Sequence, residues 1–387
     1  MPPEPHRLSR AEARRVAVRA QLLTADRPDD VLDVVRHLTC VQLDQTAAVA
    51  PSADLVMWSR LGGGYDPAEL ADLLDTQQLI SLHNLARPAE DLALHRAEMA
   101  RWPGPQPWKP WQQGLVDWVA ANDAFRRELL EALRGDGPLP ASELPDGALV
   151  PWPSSGWNND KNVKMMLVQL VERGEVAASG RGGVRGRETL WDLAERVHPD
   201  DPVPDPDDAR RERDARRLAA LGIARGRAAQ TPLEPNDVGE AGEPAVVDGV
   251  KGTWRVDPRR LDAAQPDGTD GTDGFRGRAA LLSPLDRLVA DRKRLTELFE
   301  WEYYLEMYKP VAKRRWGYWA LPVLVGDRFV GKLDATADRA EGVLRVDALH
   351  RDEPWDAATE DAVRAEVDAL AAWLRLEAWG PGLDRSG

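Results

Sequence analysis

The segment Gln42-Leu43-Asp44 combines an amide and a carboxylate two residues apart, an arrangement that could catalyse hydrolysis. It breaks the helical period of the preceding residues, which predicts an extended or turn element. In an extended segment, residues two apart project to the same side, so the Gln42 amide would lie beside the Asp44 carboxylate with Leu43 buried. A carboxylate that polarises a water, with an amide that positions it, suffices to hydrolyse a bond whose leaving group is already activated, such as the glycosidic bond of an alkylated purine. Alternatively, Asp44 caps the segment over residues 45–50.

Motifs of other catalytic and metal-binding classes are missing from the sequence. There is no glycine-rich phosphate loop, no Gly-x-Ser-x-Gly and no His-Glu-x-x-His. The six histidines have no metal-ligand spacing, and Cys40 has no second thiol for a disulfide or a thiolate zinc site. We therefore expect neither a metal nor a cofactor.

Length and composition predict a globular protein of two to three domains. The chain has 387 residues, of which 43% are apolar and 30% charged, and a domain has about 150 residues. Its apolar runs are far shorter than the roughly 20 residues that span a bilayer, and residues 1–15 lack the apolar core of a secretory signal. We expect a soluble, cytoplasmic protein without membrane contact. It is expected to be a monomer, because no dimerisation heptads are present.

The charge distribution is uneven along the chain. The net charge of −14 argues against a uniformly basic coat for nucleic acid. Between Arg276 and Lys332, however, twelve Lys or Arg stand against seven Asp or Glu. A polyanion could therefore bind one face of the protein while the rest repels it.

Turn-forming and linker residues, together with changes in hydrophobic periodicity, divide the chain into predicted domains at residues 1–123, 124–200, 201–274 and 275–387. In the first, Ser9 and Glu12 form a capping box that predicts a helix over residues 9–23. Further helices are predicted at residues 28–37, 66–74 and 88–99. A Pro-rich connection follows, whose tryptophans are expected to pack inside the protein: Trp102, Trp108, Trp111 and Trp118.

The second region reads as a winged helix-turn-helix. Helices are predicted at residues 125–133, 140–144 and 159–173, and strands at 175–178 and 188–192 flank a loop rich in Gly and Arg. The third helix of such a module can enter a major groove while the wing reaches phosphate. A protein-interaction module with solvated charges is the alternative. The DNA-contact hypothesis names Asn158, Lys161 and Lys164 near the third helix, and Arg181, Arg185 and Arg187 on the wing.

The last two regions predict a mixed architecture. Residues 209–221 are predicted as a helix and residues 245–256 as two strands around Asp248-Gly249, which fits a degenerate third winged helix. The Asp-Gly run at residues 266–274 is interpreted as a loop rather than a calcium site. Strands predicted at 279–282, 316–325, 328–335 and 342–349, with a turn at Gly326-Asp327, indicate a small β-barrel closed by a helix over 357–377. The predicted fold class is α+β: tandem winged helices with a C-terminal β-barrel.

Several segments together resemble the AlkZ/YcaQ-like family of bacterial winged-helix DNA glycosylases, which remove alkylated purines and unhook DNA crosslinks. The segments span most of the chain and keep the family's order. They are Val41-Gln-Leu-Asp44, Leu55-Val-Met-Trp-Ser-Arg-Leu-Gly62 with Tyr65-Asp66, Gly180-Arg181 with Leu190-Trp-Asp-Leu-Ala-Glu-Arg196, Leu281-Leu-Ser-Pro-Leu-Asp286 with Asp291-Arg-Lys-Arg294, and Lys313-Arg-Arg-Trp-Gly-Tyr318 with Leu321-Pro.

The resemblance implies a function and a set of residues. The family's catalytic motif is Gln-hydrophobic-Gln, which corresponds here to Gln42, Leu43 and Asp44, so a carboxylate replaces the second amide. This variant is similar to the branch associated with self-resistance to bulky DNA-alkylating natural products. The implied partner is double-stranded DNA with an alkylated or crosslinked purine, held by a concave surface to which Lys313, Arg314 and Arg315 contribute. Pro51 to Asp54 depart from the family, whose members often carry Arg and His there.

Two other functions are compatible with these residues. One is a non-catalytic winged-helix DNA-binding protein, such as a transcriptional regulator, which would prefer a specific palindromic sequence. The other is a crosslink-binding scaffold that recruits repair enzymes and releases no base. Neither needs Gln42 and Asp44 to face DNA.

Overall fold

The computed structural model describes residues 4–153, 161–182, 188–227, 234–261 and 275–383. They form two compact units, of which one comprises Met1–Leu70 with Asp214–Gly387 and the other Ala71–Arg213. We call the first the discontinuous unit and the second the inserted unit. The four shorter domains remain a prediction. None of the helices described is long and apolar enough to cross a membrane.

The N-terminal part of the discontinuous unit is mainly helical. Its first helix begins where the sequence predicts: the Ser9 hydroxyl accepts a hydrogen bond from the Glu12 amide, and the Glu12 carboxylate accepts one from the Ser9 amide. This capping box satisfies two backbone donors at the helix start. The elements are β1 (His6–Leu8), α1 (Arg10–Ala20), α2 (Val31–Leu38), β2 (Val41–Gln42), α3 (Ser52–Leu61) and α4 (Pro67–Asp75), which contains the boundary between the units.

The inserted unit carries a hairpin, a group of helices and a three-stranded antiparallel sheet of order β5-β7-β6. Leu129, Leu133, Met166 and Leu170 are fully buried in its main apolar cluster. The elements are β3 (Leu79–Leu82), β4 (Leu85–Pro88), α5 (Leu92–Met99), α6 (Pro110–Ala121), α7 (Asp123–Asp136), β5 (Leu139–Pro140), α8 (Asn162–Glu172), β6 (Val176–Gly182), β7 (Glu188–Leu193) and α9 (Ala194–Val197).

The C-terminal part of the discontinuous unit contains two sheets. It begins within α10 (Pro206–Leu221). A four-stranded sheet has the order β1-β9-β10-β8, and a five-stranded sheet of order β11-β12-β13-β14-β15 curls into a half-barrel. The elements are β8 (Ile223–Ala224), β9 (Glu243–Val247), β10 (Trp254–Val256), β11 (Ala279–Leu281), α11 (Arg287–Ala290), α12 (Arg292–Phe299), β12 (Leu321–Val325), β13 (Arg328–Asp338), β14 (Val343–Arg351), α13 (Ala357–Leu374) and β15 (Glu377–Trp379).

Pairing between distant segments holds the discontinuous unit together. His6 of β1 pairs in parallel with Ala245 of β9, so the first strand of the chain joins a sheet built more than 200 residues later. Val16 and Ala17 of α1 pack with the fully buried Trp254 and Leu295 in one apolar cluster. This unit therefore supports both the N-terminal segment with Gln42 and the C-terminal sheet.

Two predictions of secondary structure were wrong. The helix at residues 140–144 does not form, because Leu139 and Pro140 instead pair with Trp191 and Leu190 of β7. The strand at 316–325 begins only at Leu321, because the preceding residues are committed to the loop described below. The β-barrel predicted at the C-terminus is present as a half-barrel. The Pro-rich connection contains the unpredicted helix α6, in which Trp118 is buried while Trp111 is 62% exposed.

A buried ion pair joins helix α3 to the residues before α11. Arg60 and Asp286 are both fully buried, and their paired contacts include one of 3.1 Å between Nη2 and Oδ1. Arg60 also donates to the Gln21 carbonyl at 3.0 Å through Nε, and Asp286 Oδ1 accepts from the Leu288 amide at 2.9 Å. Each charge is thereby compensated by a partner of opposite sign and by backbone groups.

Candidate active site and nucleic-acid interface

The Gln42-Leu43-Asp44 triplet lies where the short strand β2 gives way to a loop. All three residues are half-buried, which corrects the prediction that Leu43 is buried. Asp44 does not cap a helix, since residues 45–50 are not helical. Its Oδ1 instead accepts a hydrogen bond from the Thr46 amide at 2.8 Å, which closes a local turn. None of the described residues donates to Asp44 Oδ2 or binds the Gln42 side-chain amide, so both polar groups remain available to a ligand.

Arg287 anchors the backbone that leads into the triplet. Its Nη1 donates to the Leu38 carbonyl at 3.0 Å and the Thr39 hydroxyl at 2.8 Å, and it lies 3.2 Å from Cys40 Sγ. Thr39 adopts a left-handed conformation with φ of 66°, which few side chains tolerate. Arg287 follows the buried Asp286, so the ion pair with Arg60 and this anchor belong to one rigid segment.

Replacement of Arg287 by Ala is expected to slow catalysis by about tenfold, because the triplet loses the contacts that hold its position. Single-turnover base release at saturating enzyme measures this effect separately from binding. Arg339→Ala, at an exposed turn, is the control. A rate equal to that of the control would show that Arg287 does not position the triplet.

A loop with four exposed apolar or aromatic side chains and a cluster of cations connects α12 to β12. The side chains of Tyr308 and Val311 are 85% and 76% exposed, and Tyr304 and Tyr318 are also exposed. Lys313 and Arg315 are exposed, and Arg314 is half-buried. We call this segment, residues 303–318, the cationic loop.

Glu306 organises the cationic loop from inside. It is 3% exposed and accepts hydrogen bonds from the Arg315 amide at 2.6 Å, the Trp316 amide at 2.8 Å and Lys309 Nζ at 2.7 Å. Burial opposes its ionisation, yet these donors hold the pKa of Glu306 below its usual range. Two backbone amides that a strand would use for pairing are thereby committed to Glu306.

Stacked aromatic and cationic groups fix the outer face of this loop. The Arg314 guanidinium lies 5.0 Å from the Tyr318 ring centroid, and that of Arg315 lies 5.0 Å from the Trp316 centroid. The buried Lys332 ammonium lies 4.7 Å from the Trp316 ring centroid and donates to the Asp352 carboxylate at 2.8 Å. Cations alternating with aromatic rings are typical of surfaces that contact nucleic acid.

Strand β13 connects the triplet loop with the cationic loop. The Ala337 amide donates to the Ala48 carbonyl at 2.8 Å, which attaches the residues after Asp44 to this strand. The Asp334 carboxylate fills the space where a Cβ of residue 317 would lie, and Gly317 has φ of 112°, so only glycine fits there. Three residues of a strand span roughly 10 Å. The two loops thus contact one strand about that far apart.

Asp334 is expected to make the stability of the protein depend on pH. Burial and the nearby Asp347 raise its pKa to about 6, against the opposing effects of Arg345 and Arg314. An unfolded Asp has a pKa of about 3.9, so the folded state holds this proton more tightly. Asp334 therefore destabilises the folded state progressively as pH rises from about 4 through about 6.

Asp334→Asn should accordingly raise the free energy of unfolding at pH 7 by about 1 kcal/mol, after allowance for partial solvent screening. The difference from the wild type should shrink as pH falls and vanish below about pH 4, where Asp334 is protonated in both the folded and the unfolded state. Urea unfolding at the two pH values measures it. A variant that is less stable at pH 7 would contradict the raised pKa.

A cleft of arginines opens beside Thr39, three residues before Gln42. It has a volume of about 280 Å³, and no carboxylate is among the described residues that line it. Two of its cations have acidic partners, since Arg36 pairs with Asp33 and Arg259 with Asp257. Burial lowers the pKa of the lining His37, and the charge of Arg260 lowers it further. The cleft's arginines, which the sequence analysis did not single out, are Arg36, Arg216, Arg259 and Arg260.

The remaining predicted DNA contacts lie in the inserted unit or outside the described residues. Lys161 directly precedes α8, and Lys164 is exposed on that helix. The backbone of Arg181 belongs to β6. Asn158, Arg185 and Arg187 lie outside the part of the chain that the structure describes. The structure brings the triplet and the Lys313-Arg314-Arg315 cluster into one compact unit, and it places Lys161 and Lys164 in the other.

Comparison with known proteins gives two findings. The Streptomyces sahachiroi DNA glycosylase AlkZ has a similar structure, with a TM-score of 0.66 and 20% sequence identity over 97% of this chain and 100% of that chain. At this identity the likeness concerns the mixed α+β fold. The sequence model of the family described as "DNA glycosylase AlkZ-like" matches residues 35–373, a range that includes the triplet, β13 and the cationic loop. The chain therefore belongs to the AlkZ-like family of DNA glycosylases.

Proposed function

We propose that the protein is a monofunctional DNA N-glycosylase that releases N7-substituted purines, including bulky or crosslinked adducts, from double-stranded DNA. One observation carries the proposal: the triplet lies in the same compact unit as the cationic loop, and one carboxylate oxygen of Asp44 has no partner among the described residues. The chain's membership of a DNA glycosylase family supports the same function. Self-resistance to a DNA-alkylating natural product is the role that such a substrate range would serve.

The proposed mechanism uses the positive charge of an N7-alkylated purine. The bond between C1′ and the base nitrogen breaks, and its electron pair neutralises the departing base, so little acid catalysis is needed. Asp44 Oδ2 accepts a proton from a water that attacks C1′, and its negative charge stabilises the oxocarbenium-like transition state. Gln42 positions the water or the sugar. No lysine precedes Lys109 in the sequence, which supports hydrolysis without a Schiff base.

Cations linked to the residues before and after the triplet support a path for the DNA strand. The arginine cleft adjoins Thr39, while the cationic loop contacts the strand that also binds Ala48. Phosphate contacts of this kind fix the position of the duplex without reading its sequence. We propose that Lys161, Lys164, Arg181, Arg185, Arg187 and Asn158 add contacts from the inserted unit.

Incubation of the protein with a duplex that carries one N7-alkylguanine tests this function. Enzyme in excess over DNA, followed by alkaline cleavage of abasic sites, should reveal strand breaks only at the modified base. Parallel duplexes with a bulky adduct or an interstrand crosslink define the substrate range. Binding without cleavage of any of the three would favour the non-catalytic alternatives.

Replacement of Lys313, Arg314 and Arg315 by Gln is expected to weaken DNA binding equally for damaged and undamaged duplexes. Each lost phosphate contact lowers the slope of log Kd against log salt by about 0.9. Fluorescence anisotropy at a series of salt concentrations measures the slope. An unchanged slope, or a loss confined to damaged DNA, would contradict a phosphate-binding role for this cluster.

A further inference from the structure

A second basic cavity lies in the discontinuous unit, formed by residues of β10 and α12, by the segment that follows β8 and by other loop residues. It has a volume of about 570 Å³. Six of its lining residues are cationic and three are acidic: Glu240, Asp291 and Glu297. This local excess of positive charge contrasts with the chain's net charge of −14. The cations are Arg225, Arg227, Lys251, Arg255, Lys293 and Arg294.

Two of these arginines, Arg225 and Arg255, are held in place by hydrogen bonds and ion pairs within the protein. Arg225 donates to the Lys251 carbonyl at 2.8 Å, pairs with Glu297 at 3.0 Å and lies 3.9 Å from the ring centroid of the buried Trp254. Arg255 donates to the Ala241 carbonyl at 2.8 Å through Nε. Their charges are therefore held in place before any ligand arrives.

The other cations have side-chain N–H groups without hydrogen-bond acceptors among the described residues. Among the described residues, the side chains of Arg227, Lys251 and Lys293 have no hydrogen-bond or ion-pair partner. Arg294 is 3% exposed, and its Nε and Nη2 donate to the carbonyls of Ile223 and Leu221 at 3.0 and 2.7 Å. Its Nη1 is buried without a partner, although buried donors are nearly always paired.

We propose that this cavity binds a phosphate ester. A phosphate group offers several charged acceptor oxygens, which suit the unpartnered guanidinium of Arg227 and the ammonium groups of Lys251 and Lys293. The volume leaves room for the sugar attached to the phosphate. The phosphate belongs either to a DNA strand or to a free nucleotide, and both sources use the same donors. The site contains no residue of the triplet, so binding does not depend on the proposed hydrolysis.

Charge removal at two exposed lysines tests the site. In Lys251→Gln/Lys293→Gln both positions are exposed and without partners, so the fold should be preserved. Arg339→Gln/Arg375→Gln removes the same charge at exposed positions elsewhere in the unit and is the matched control. Arg227→Gln/Lys293→Gln is a second cavity variant, to be used if the first one unfolds.

The first arm measures binding of undamaged duplex from about 50 to about 200 mM salt. If the phosphate belongs to a DNA strand, the cavity variant should lower the salt slope by about 0.9 relative to the control. The second arm measures thermal unfolding with inorganic phosphate or a 5′-mononucleotide. If a free phosphate ester is the ligand, it should raise Tm of the wild type and the control but not of the cavity variant.

The two arms together decide the proposal. A difference between cavity variant and control in either arm supports the site and identifies the phosphate's source. Equal behaviour of the cavity variant and the control in both arms would overturn it. Because undamaged DNA and a free nucleotide are the probes, failure of this site is distinct from failure of the glycosylase function.

Discussion

Asp44→Asn is expected to abolish base release from DNA with an N7-alkylguanine while DNA affinity stays within about twofold of the wild type. General-base catalysis by a positioned carboxylate accelerates a reaction by about 10²–10⁴-fold, so the single-turnover rate should fall by a factor in this range. The amide of Asn has no charge with which to accept a proton or to stabilise the oxocarbenium-like state.

The structure makes this substitution conservative for folding. The Oδ1 atom of Asn can still accept the hydrogen bond from the Thr46 amide, so the local turn is retained. Thermal unfolding of the variant should therefore match the wild type. Gln42→Ala, which removes the positioning amide, should slow release less than Asp44→Asn does. Turnover within about threefold of the wild type in Asp44→Asn would show that Asp44 is not the base.

Asp286→Asn is expected to destabilise the protein by about 3–5 kcal/mol, because it leaves the Arg60 guanidinium buried without a counter-charge. Both side chains are fully buried, and no solvent can replace the lost carboxylate. Urea unfolding followed by tryptophan fluorescence measures the loss. Arg328→Gln, which breaks an exposed ion pair with Glu353, is the control and should change stability by less than about 1 kcal/mol.

A double-mutant cycle separates the ion pair from the other contacts of its members. Arg60→Met/Asp286→Leu removes both charges. Its loss of stability should therefore be smaller than the sum of the losses in Arg60→Met alone and in Asp286→Leu alone. It should still be less stable than the wild type, because the Gln21 carbonyl and the Leu288 amide lose partners. Additive effects would show that the pair does not stabilise the fold through its charges.

Loss of this ion pair should also disturb the position of the candidate triplet and slow base release. Asp286 precedes Arg287, whose guanidinium holds the Leu38 carbonyl and the Thr39 hydroxyl. A weakened Asp286→Asn protein that still folds at low temperature should therefore share the slower base release expected of Arg287→Ala. The segment that carries the candidate triplet is thus supported by residues that follow it by more than 240 positions.

Local signals in the sequence predicted many of the secondary-structure elements, though not where each begins and ends. The Ser9 and Glu12 capping box predicts the start of α1, because both hydrogen bonds form within one helical turn. The turn at Gly326-Asp327 and the strands on both sides follow from residue type and alternation. The catalytic triplet, as a hypothesis, also came from spacing, since residues two apart in an extended segment face the same way.

Other features depend on partners that lie far away in the sequence. Residues 316–320 have the composition of a strand, yet the Glu306 carboxylate accepts hydrogen bonds from the Arg315 and Trp316 amides, and Asp334 occupies the space beside Gly317. Leu139 and Pro140 pair with β7 instead of starting a helix. Local propensity differs by less than the free energy of such tertiary contacts, so sequence windows cannot decide between the outcomes.

The family, the candidate triplet and the excess of basic residues near the C-terminal sheet follow from the sequence alone, because each is carried by neighbouring residues. Only the tertiary structure decided which cations share a cleft and which donors stay without partners. Arg36 and Arg259 are more than 200 residues apart but line one cleft, and the unsatisfied Nη1 of Arg294 follows from burial that no local pattern encodes. Charge can be counted along a chain, whereas its pairing and desolvation depend on how the chain folds.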